Sequence, residues 1–596
     1  MKPTTYSWPI LLAGLLTPNP VFGQGDLTQV HQDFSKDPGW EWKDNRIVAE
    51  DPPTIKQDFG WAPSDHLGTG PGEIGGRIWQ SRTPAYYAMP LGRPLSFKDA
   101  FSFSARIAFL PSGGAGAAYL GFFHHELQGW RVWNSMALRL GGESSGQAAI
   151  GVDSMTATWQ ASGASEGYLH VPADGKPHTI RFSCDPSATQ GAWLDPRLRN
   201  YLTSKRQSTE QILERARKDE PGLTKEELEK RLVEAHAEGL VYYLQRTGHE
   251  SVIGTTAWSG YFWGLSDEKQ RTRSRDGSEA AEAESLRGGA MTLQLDDMRP
   301  FKVFLWKQSQ DQPVFMDRFG LFNLQLYHHY IDLYLADLTV NGHKVDLGKD
   351  PGWEGRGNRV QFLEEDFQRQ DFGYSETNWA GRDIGELGGQ FTSAEPIDPL
   401  YGYYADDIGT LTLDDPISFS GNVCFVNDST DAGMHIGFFS AKDLTADLSQ
   451  RATHLKTATN SLGVLIEGGA RSGKHFMPQV TSSKDTFNAK QGLPIRPTKQ
   501  KHAFKLDYDP KANGGLGSVS LTLDGDTLSM DLSEKQRAEG AVFDRFGVAN
   551  LRAGGKYVVV YFDDLTYTAR RPKHYQPVFH KQEVTKTPYP KGGRAF

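Results

Sequence analysis

The stretch KDPGWEWKDNRIV, residues 36–48, returns as KDPGWEGRGNRV at residues 349–360. The two phrases begin 313 positions apart (349 minus 36), and further echoes follow in the same order. QDFGW at Gln57 returns as QDFGY at Gln370, and GEIGG at Gly72 returns as GELGG at Gly385. Because ordered echoes over a long interval are the signature of an internal repeat, the sequence predicts two similar domains in tandem.

The spacing of the echoes also locates an insertion. GFF at Gly121 and Gly437 has an offset of 316, whereas DRFG at Asp317 and Asp544 has an offset of 227, so the first copy holds about 89 additional residues. We expect the insertion at about 187–289. A capping box at the start of TKEELEKRLVEAHAEGL predicts that the insertion is largely helical. The expected domains are 26–342 and 343–572, followed by a tail at 573–596.

Outside the insertion the chain alternates between apolar and polar residues. SFSARIAFL and HTIRFSC in the first copy, and HAFKLDY and SVSLTLDG in the second, are short segments bounded by Gly, Asp or Asn. This period of two is typical of half-buried antiparallel strands. We therefore predict an all-β fold of two tandem jelly-roll β-sandwiches, the first with a helical insertion.

The closing segment FDRFGVANLRAGGKYVVVYFDDLTYT, and its partner in the first copy, resemble the last strands of the concanavalin A-like lectin/glucanase (LamG-like) superfamily. The resemblance implies the jelly-roll fold and a glycan as partner. It leaves activity open, because that superfamily includes lectins, glycoside hydrolases, polysaccharide lyases and adhesion modules. The two-Glu ExDxxE pattern of its glucanases is absent from this sequence.

Composition narrows the class of protein. Of the 596 residues, 38% are hydrophobic and 23% are charged, which indicates a globular protein, and the net charge of −9 gives no sign of a nucleic-acid partner. Its two cysteines exclude a disulfide framework. Lys2 followed by an apolar run predicts a signal peptide at 1–23, and the run is too short to cross a bilayer. We expect a secreted or periplasmic protein without membrane insertion.

Differences between the copies indicate where function was added. The first copy has Arg77 where the second has Gln390, and HHE at 124–126 where the second has SAK. The catalytic candidates are Arg77, Tyr87, His124, His125 and Glu126. The substrate-binding candidates are Glu73, Arg131 and two tryptophans of the insertion that could stack on sugar rings, Trp258 and Trp263.

These residue types leave the chemistry open. Hydrolysis needs two carboxyl groups, for which Glu73, Glu126 and Glu143 are the candidates. Elimination needs a base such as His124 or Tyr87 and a cation beside the substrate carboxylate. The first hypothesis is an enzyme that cleaves the glycosidic bonds of a polysaccharide. The alternative is a non-catalytic carbohydrate-binding or surface-attachment protein.

The sequence predicts neither a cofactor nor a transition-metal site. One loop, VNDSTDAG, carries the oxygen-bearing side chains Asn427, Asp428 and Asp431, which leaves calcium open. The expected partner is therefore a polysaccharide or oligosaccharide.

Overall fold

The computed structural model describes residues 26–188 and 288–587, with breaks at 114–115, 128, 130, 143–145, 158–160, 164–168, 299, 306, 326–328, 365–367, 394–400, 430–431, 446–457, 468–473, 491, 552–556 and 572–574. The predicted leader, nearly all of the insertion with its predicted helices and its tryptophans, and the end of the tail lie outside these residues. Within them, no helix is both long and apolar enough to span a membrane.

The first sandwich consists of two antiparallel sheets. Sheet 1A has nine described strands: β4 (Thr54–Ala62), β5 (Glu73–Trp79), β7 (Phe101–Gly113), β13 (His178–Asp185), β14 (Gly288–Leu295), β15 (Phe301–Leu305), β17 (Tyr330–Val340), β18 (His343–Lys344) and β20 (Arg359–Leu363). Sheet 1B has eight: β6 (Tyr86–Leu95), β8 (Ala117–Phe123), β9 (Ser135–Gly142), β10 (Gln147–Met155), β11 (Ala161–Gly163), β12 (Leu169–Pro172), β16 (Met316–Asn323) and β19 (Glu354–Arg356).

The second sandwich repeats this plan. Sheet 2A has ten described strands: β1 (Leu27–Gln32), β3 (Arg46–Ala49), β21 (Gln368–Ser375), β22 (Glu386–Thr392), β24 (Ile417–Ser429), β30 (Lys501–Asp509), β31 (Ser518–Leu523), β32 (Asp526–Asp531), β34 (Tyr557–Arg570) and β35 (Thr585–Thr587). Sheet 2B has eight: β2 (Glu41–Lys43), β23 (Tyr403–Thr412), β25 (Met434–Phe439), β26 (Ser461–Glu467), β27 (His475–Thr481), β28 (Phe487–Ala489), β29 (Leu493–Pro494) and β33 (Val542–Asn550). Among the described residues, three short α-helices accompany the sheets: α1 (Lys307–Asp311), α2 (Ala441–Thr445) and α3 (Glu534–Glu539).

The alternation in the sequence becomes the two faces of each sheet. In β17, Ile331, Leu333 and Leu335 point into the core of the first sandwich, while the residues between them are partly exposed. The second sandwich encloses a separate core of the same kind. The predicted fold class, two similar all-β jelly-roll sandwiches, is therefore confirmed.

The connectivity differs from the expected division of the chain. Strands β1, β2 and β3 pair with β34, β23 and β21 of the second sandwich, although they belong to the first copy of the repeat. Strands β18, β19 and β20 pair with β17, β6 and β4 of the first. The first sandwich is thus the continuous segment 54–363, nested within a second sandwich formed by 27–49 and 368–587. The boundary expected at 342/343 is wrong, because the repeat begins at a segment that completes the other sandwich.

The repeated phrase serves to close each sandwich. In the second sandwich, the Tyr404 hydroxyl donates to Asp37 Oδ1 (2.8 Å), and Trp40 is buried against the Tyr404 ring. In the first sandwich, the Tyr87 hydroxyl donates to Asp350 Oδ1 (2.9 Å). The chain therefore carries the phrase twice because each sandwich needs one copy.

The insertion joins two neighbouring strands. Asp185 at the end of β13 pairs with Ala290 near the start of β14, so the chain leaves sheet 1A and returns at the same place. The equivalent strands of the second sandwich, β30 and β31, are joined by the short turn between Asp509 and Ser518. The site of insertion is thus a hairpin end.

Candidate functional site

The two adjacent histidines lie at one end of sheet 1B, directly after β8. Asp317 in the neighbouring strand β16 binds His125 twice: Oδ1 accepts from its backbone N–H (2.9 Å), and Oδ2 lies 2.5 Å from its Nδ1. A carboxylate that holds both the backbone and the ring fixes the orientation of the imidazole, and it places the Nδ1 proton toward Asp317. His125 therefore presents a defined Nε2.

His124 is in a different environment. Its ring centroid is 4.4 Å from that of His125, and its Nδ1 accepts a hydrogen bond from the Glu126 backbone N–H (3.2 Å). Burial lowers the pKa of His124 below its ordinary value, so the ring is held neutral at neutral pH. A neutral imidazole beside a second, carboxylate-oriented one is an arrangement suited to general acid–base chemistry.

An aromatic ring borders the pair. The Trp133 ring lies 5.4 Å from His124 and packs on Met155 at the end of β10. Its indole N–H donates to the Glu126 backbone O (3.4 Å), and the ring is only partly buried. The cluster of His124, His125, Asp317 and Trp133 is called the histidine site below.

Sheet 1B also carries a buried polar network on its outer face. Tyr119 donates to Asp153 Oδ2 (3.0 Å), and Arg131 Nε lies 3.2 Å from the same oxygen. Burial and the Asp153 charge raise the pKa of Tyr119 well above its ordinary value. Arg131, predicted to bind substrate, is 7% exposed and forms an ion pair within this network.

The structure does not bring Arg77 to the histidine site. Arg77 lies on the outer face of sheet 1A, the opposite face of the sandwich, where it binds Asp332 (2.7 Å) and stacks on Tyr330. The prediction that Arg77 lies with the histidines in one site is wrong. Arg77 belongs to β5 of sheet 1A, whereas the histidines follow β8 of sheet 1B.

Two further candidates are buried parts of the fold. Tyr87 points into the core and donates to Asp350, while its neighbour Tyr86 faces outward, since successive residues of a strand alternate. Glu73 is fully buried and accepts hydrogen bonds from the Ser64 hydroxyl (2.9 Å) and the Leu67 N–H (2.7 Å). Glu126 is exposed beside the histidine site, whereas Glu143, Trp258 and Trp263 lie outside the described residues.

Asp317 is a residue of the histidine site that comparison of the two copies did not select. It belongs to DRFG, a phrase present in both copies, whereas the candidates were chosen from differences between the copies. Its counterpart Asp544 does have a scaffold role, accepting from the Ala441 backbone N–H (3.0 Å). At the position of Ala441 the first copy has His125, whose imidazole also contacts the aspartate. The occurrence of HHE together with DRFG in the first copy was therefore the sequence feature that could have indicated Asp317.

Two clusters of side chains carry atoms of the kind that bind metal ions. His124, His125 and Asp317 place ligand-type atoms within 4.8 Å of one another. However, Asp317 Oδ2 already accepts from His125 and lies 3.4 Å from Arg318 Nη1, which favours hydrogen bonding over a cation there. In the loop considered for calcium, the Asp428 carboxylate lies 4.0 Å from Lys474 Nζ, and Asp431 is outside the described residues.

Comparisons with known proteins give distant likenesses to solved structures. No family model and no curated protein matches the chain. Mouse laminin α1 domains LG4-5 are 11% identical, with a TM-score of 0.19 over 90% of this chain and 98% of that one. The lectin UEA-II complexed with galactose is 12% identical (TM-score 0.22; 33% and 91% covered), and a family 7 alginate lyase A1-II′ is 9% identical (TM-score 0.21; 36% and 91% covered).

Proposed function

We propose that the protein is an exported enzyme that cleaves an acidic polysaccharide by elimination at the histidine site of the first sandwich. The observation that carries the proposal is the pairing of a neutral His124 with a His125 ring that Asp317 holds in place. The corresponding positions of the second sandwich are Ser440 and Ala441, so the pair is an addition to a duplicated frame.

The available carboxyl groups favour elimination over hydrolysis. Two-carboxylate hydrolysis needs a pair of accessible acids separated by about 5–10 Å. Glu73 is buried and fully hydrogen bonded, which leaves Glu126 as the exposed one among the described candidates. The histidine site offers imidazole groups instead of a pair of carboxylates. Imidazoles are suited to abstracting a proton from the substrate, which is the first step of elimination.

In the proposed elimination, the unprotonated Nε2 of His125 takes the proton from the carbon next to the substrate carboxylate, and the electron pair forms a carbon–carbon double bond. The glycosidic C–O bond breaks, and the leaving oxygen receives that proton back from Nε2 of His125, while the Nε2–H of neutral His124 donates a hydrogen bond to it. Arg356, exposed and donating to the His125 backbone O (3.2 Å), supplies positive charge for the substrate carboxylate. Trp133 offers a surface for a sugar ring.

The test is an assay of ultraviolet absorbance, which reports the new conjugated double bond, on acidic and neutral polysaccharides. His125→Ala and Asp317→Asn should each reduce kcat by about 100-fold or more. The matched control is Asp544→Asn, which alters the same frame without a histidine and should leave activity unchanged. Reducing ends released without absorbance would identify a hydrolase, and binding without turnover would identify a lectin-like protein; either result contradicts the proposal.

A further inference from the structure

Glu354 occupies the centre of a charged chain that leads to the histidine site. It lies in β19, within the second copy of the repeated phrase, and pairs with the first sandwich. Its Oε1 accepts from the Tyr86 hydroxyl (2.5 Å), and its Oε2 accepts from Arg318 Nε (2.9 Å). The hydrogen bond from Tyr86, with that from Arg318, holds the pKa of Glu354 below its ordinary value, so it is ionised at neutral pH.

Arg318 connects Glu354 with the aspartate. Its Nη1 donates to the Asp317 backbone O (3.1 Å) and lies 3.4 Å from Asp317 Oδ2, the oxygen that holds the His125 ring. Arg318 and His125 therefore share one carboxylate oxygen. Because Glu354 binds the guanidinium through Nε, it directs the charge of Arg318 away from Asp317 and leaves that oxygen to the imidazole.

We propose that Glu354 is a positioning residue, which keeps Arg318 from displacing His125 on Asp317 and so fixes the orientation of the His125 ring. Its relevance to catalysis rests on the proposed function of the histidine site. The geometric part of the inference stands on contacts alone. The repeated phrase at residues 349–360, which closes the first sandwich, thereby has a second role in the histidine site.

The second sandwich contains the same chain of contacts without the imidazole. Glu41 accepts from the Tyr403 hydroxyl (2.5 Å) and from Arg545 Nε (3.0 Å), and Arg545 Nη1 donates to the Asp544 backbone O (2.9 Å). At the end of this chain, Asp544 Oδ1 accepts from the Ala441 backbone N–H, and alanine stands where the first sandwich has His125. A change at Glu41 therefore reproduces the structural loss expected at Glu354 but leaves the histidine site intact.

The experiment compares Glu354→Gln with Glu41→Gln in the full chain. Nuclear magnetic resonance of ¹⁵N-histidine-labelled protein follows the Nδ1 proton of His125, identified by its loss in His125→Ala. We expect Glu354→Gln to shift or broaden this signal and to lower kcat roughly 10- to 100-fold with KM little changed. Glu41→Gln should change neither, although both variants should lower the melting temperature similarly.

The outcomes separate the two proposals. If the His125 signal responds to Glu354→Gln alone while the wild type cleaves no polysaccharide, the positioning role stands and the proposed function fails. If the signal and kcat are both the same as in the wild type, or respond equally to Glu41→Gln, the positioning role is overturned. Tyr86→Phe removes one partner of Glu354 without a change of charge, and it should give a smaller effect of the same kind.

Discussion

Trp40→Ala offers the sharpest test of the nested architecture. Trp40 is 5% exposed, and its ring packs against Phe34, Tyr404 and Tyr567 at centroid distances of 5.4, 5.6 and 6.1 Å. Truncating a buried tryptophan costs about 3–5 kcal/mol, because apolar contacts are lost and a cavity remains. Trp40 precedes every strand of the first sandwich in the sequence. Its truncation should nevertheless lower the free energy of unfolding of the second sandwich.

Hydrogen exchange measured by mass spectrometry can assign the loss to one sandwich. At about 1.4 kcal/mol per factor of ten, exchange through unfolding should accelerate roughly 10²- to 4 × 10³-fold in peptides covering β33 and β34. Peptides covering β16 and β17 should keep their protection. Trp353→Ala is the matched control: this partly exposed ring stacks on Tyr87 at 5.6 Å, and its loss should cost roughly 1–2 kcal/mol in the first sandwich only. Accelerated exchange of β16 and β17 in Trp40→Ala would refute the nesting.

Three other predictions concern the pH dependence of stability, the role of Arg77 and the insertion. Burial lowers the pKa of His435 to about 3 from 6.5, so below about pH 6.5 the unfolded chain binds a proton that the folded ring does not. The second sandwich should lose up to about 1.4 kcal/mol per pH unit on acidification, and His435→Gln should flatten this slope in urea titrations. Arg77→Ala should cost less than about 1 kcal/mol in thermal unfolding and leave glycan cleavage unchanged, since its ion pair is a surface one. Replacing 189–287 by a short glycine-containing loop should preserve the β signal in circular dichroism, because β13 and β14 are already paired at the insertion point; loss of that signal would show that the insertion belongs to the core.

Much of this protein could be predicted from the sequence, because repeats and alternation are local. Ordered echoes identified the duplication, and a period of two identified strands, since side chains of a strand alternate between faces whatever their partners are. The shrinking offset located the insertion, which falls at a hairpin end. Comparison of the copies also identified HHE at 124–126 as an addition to a shared frame.

Only the tertiary structure decided which elements meet. Strand pairing is non-local, so no pattern within residues 27–49 reveals that they complete a sandwich whose other strands begin beyond residue 368. For the same reason Arg77, close to Tyr86 in sequence, lies on the opposite face of the sandwich. Asp317 illustrates the point for the site: its sequence context is the same as that of Asp544, and its different role arises because the segment after the neighbouring strand carries His125 rather than Ala441.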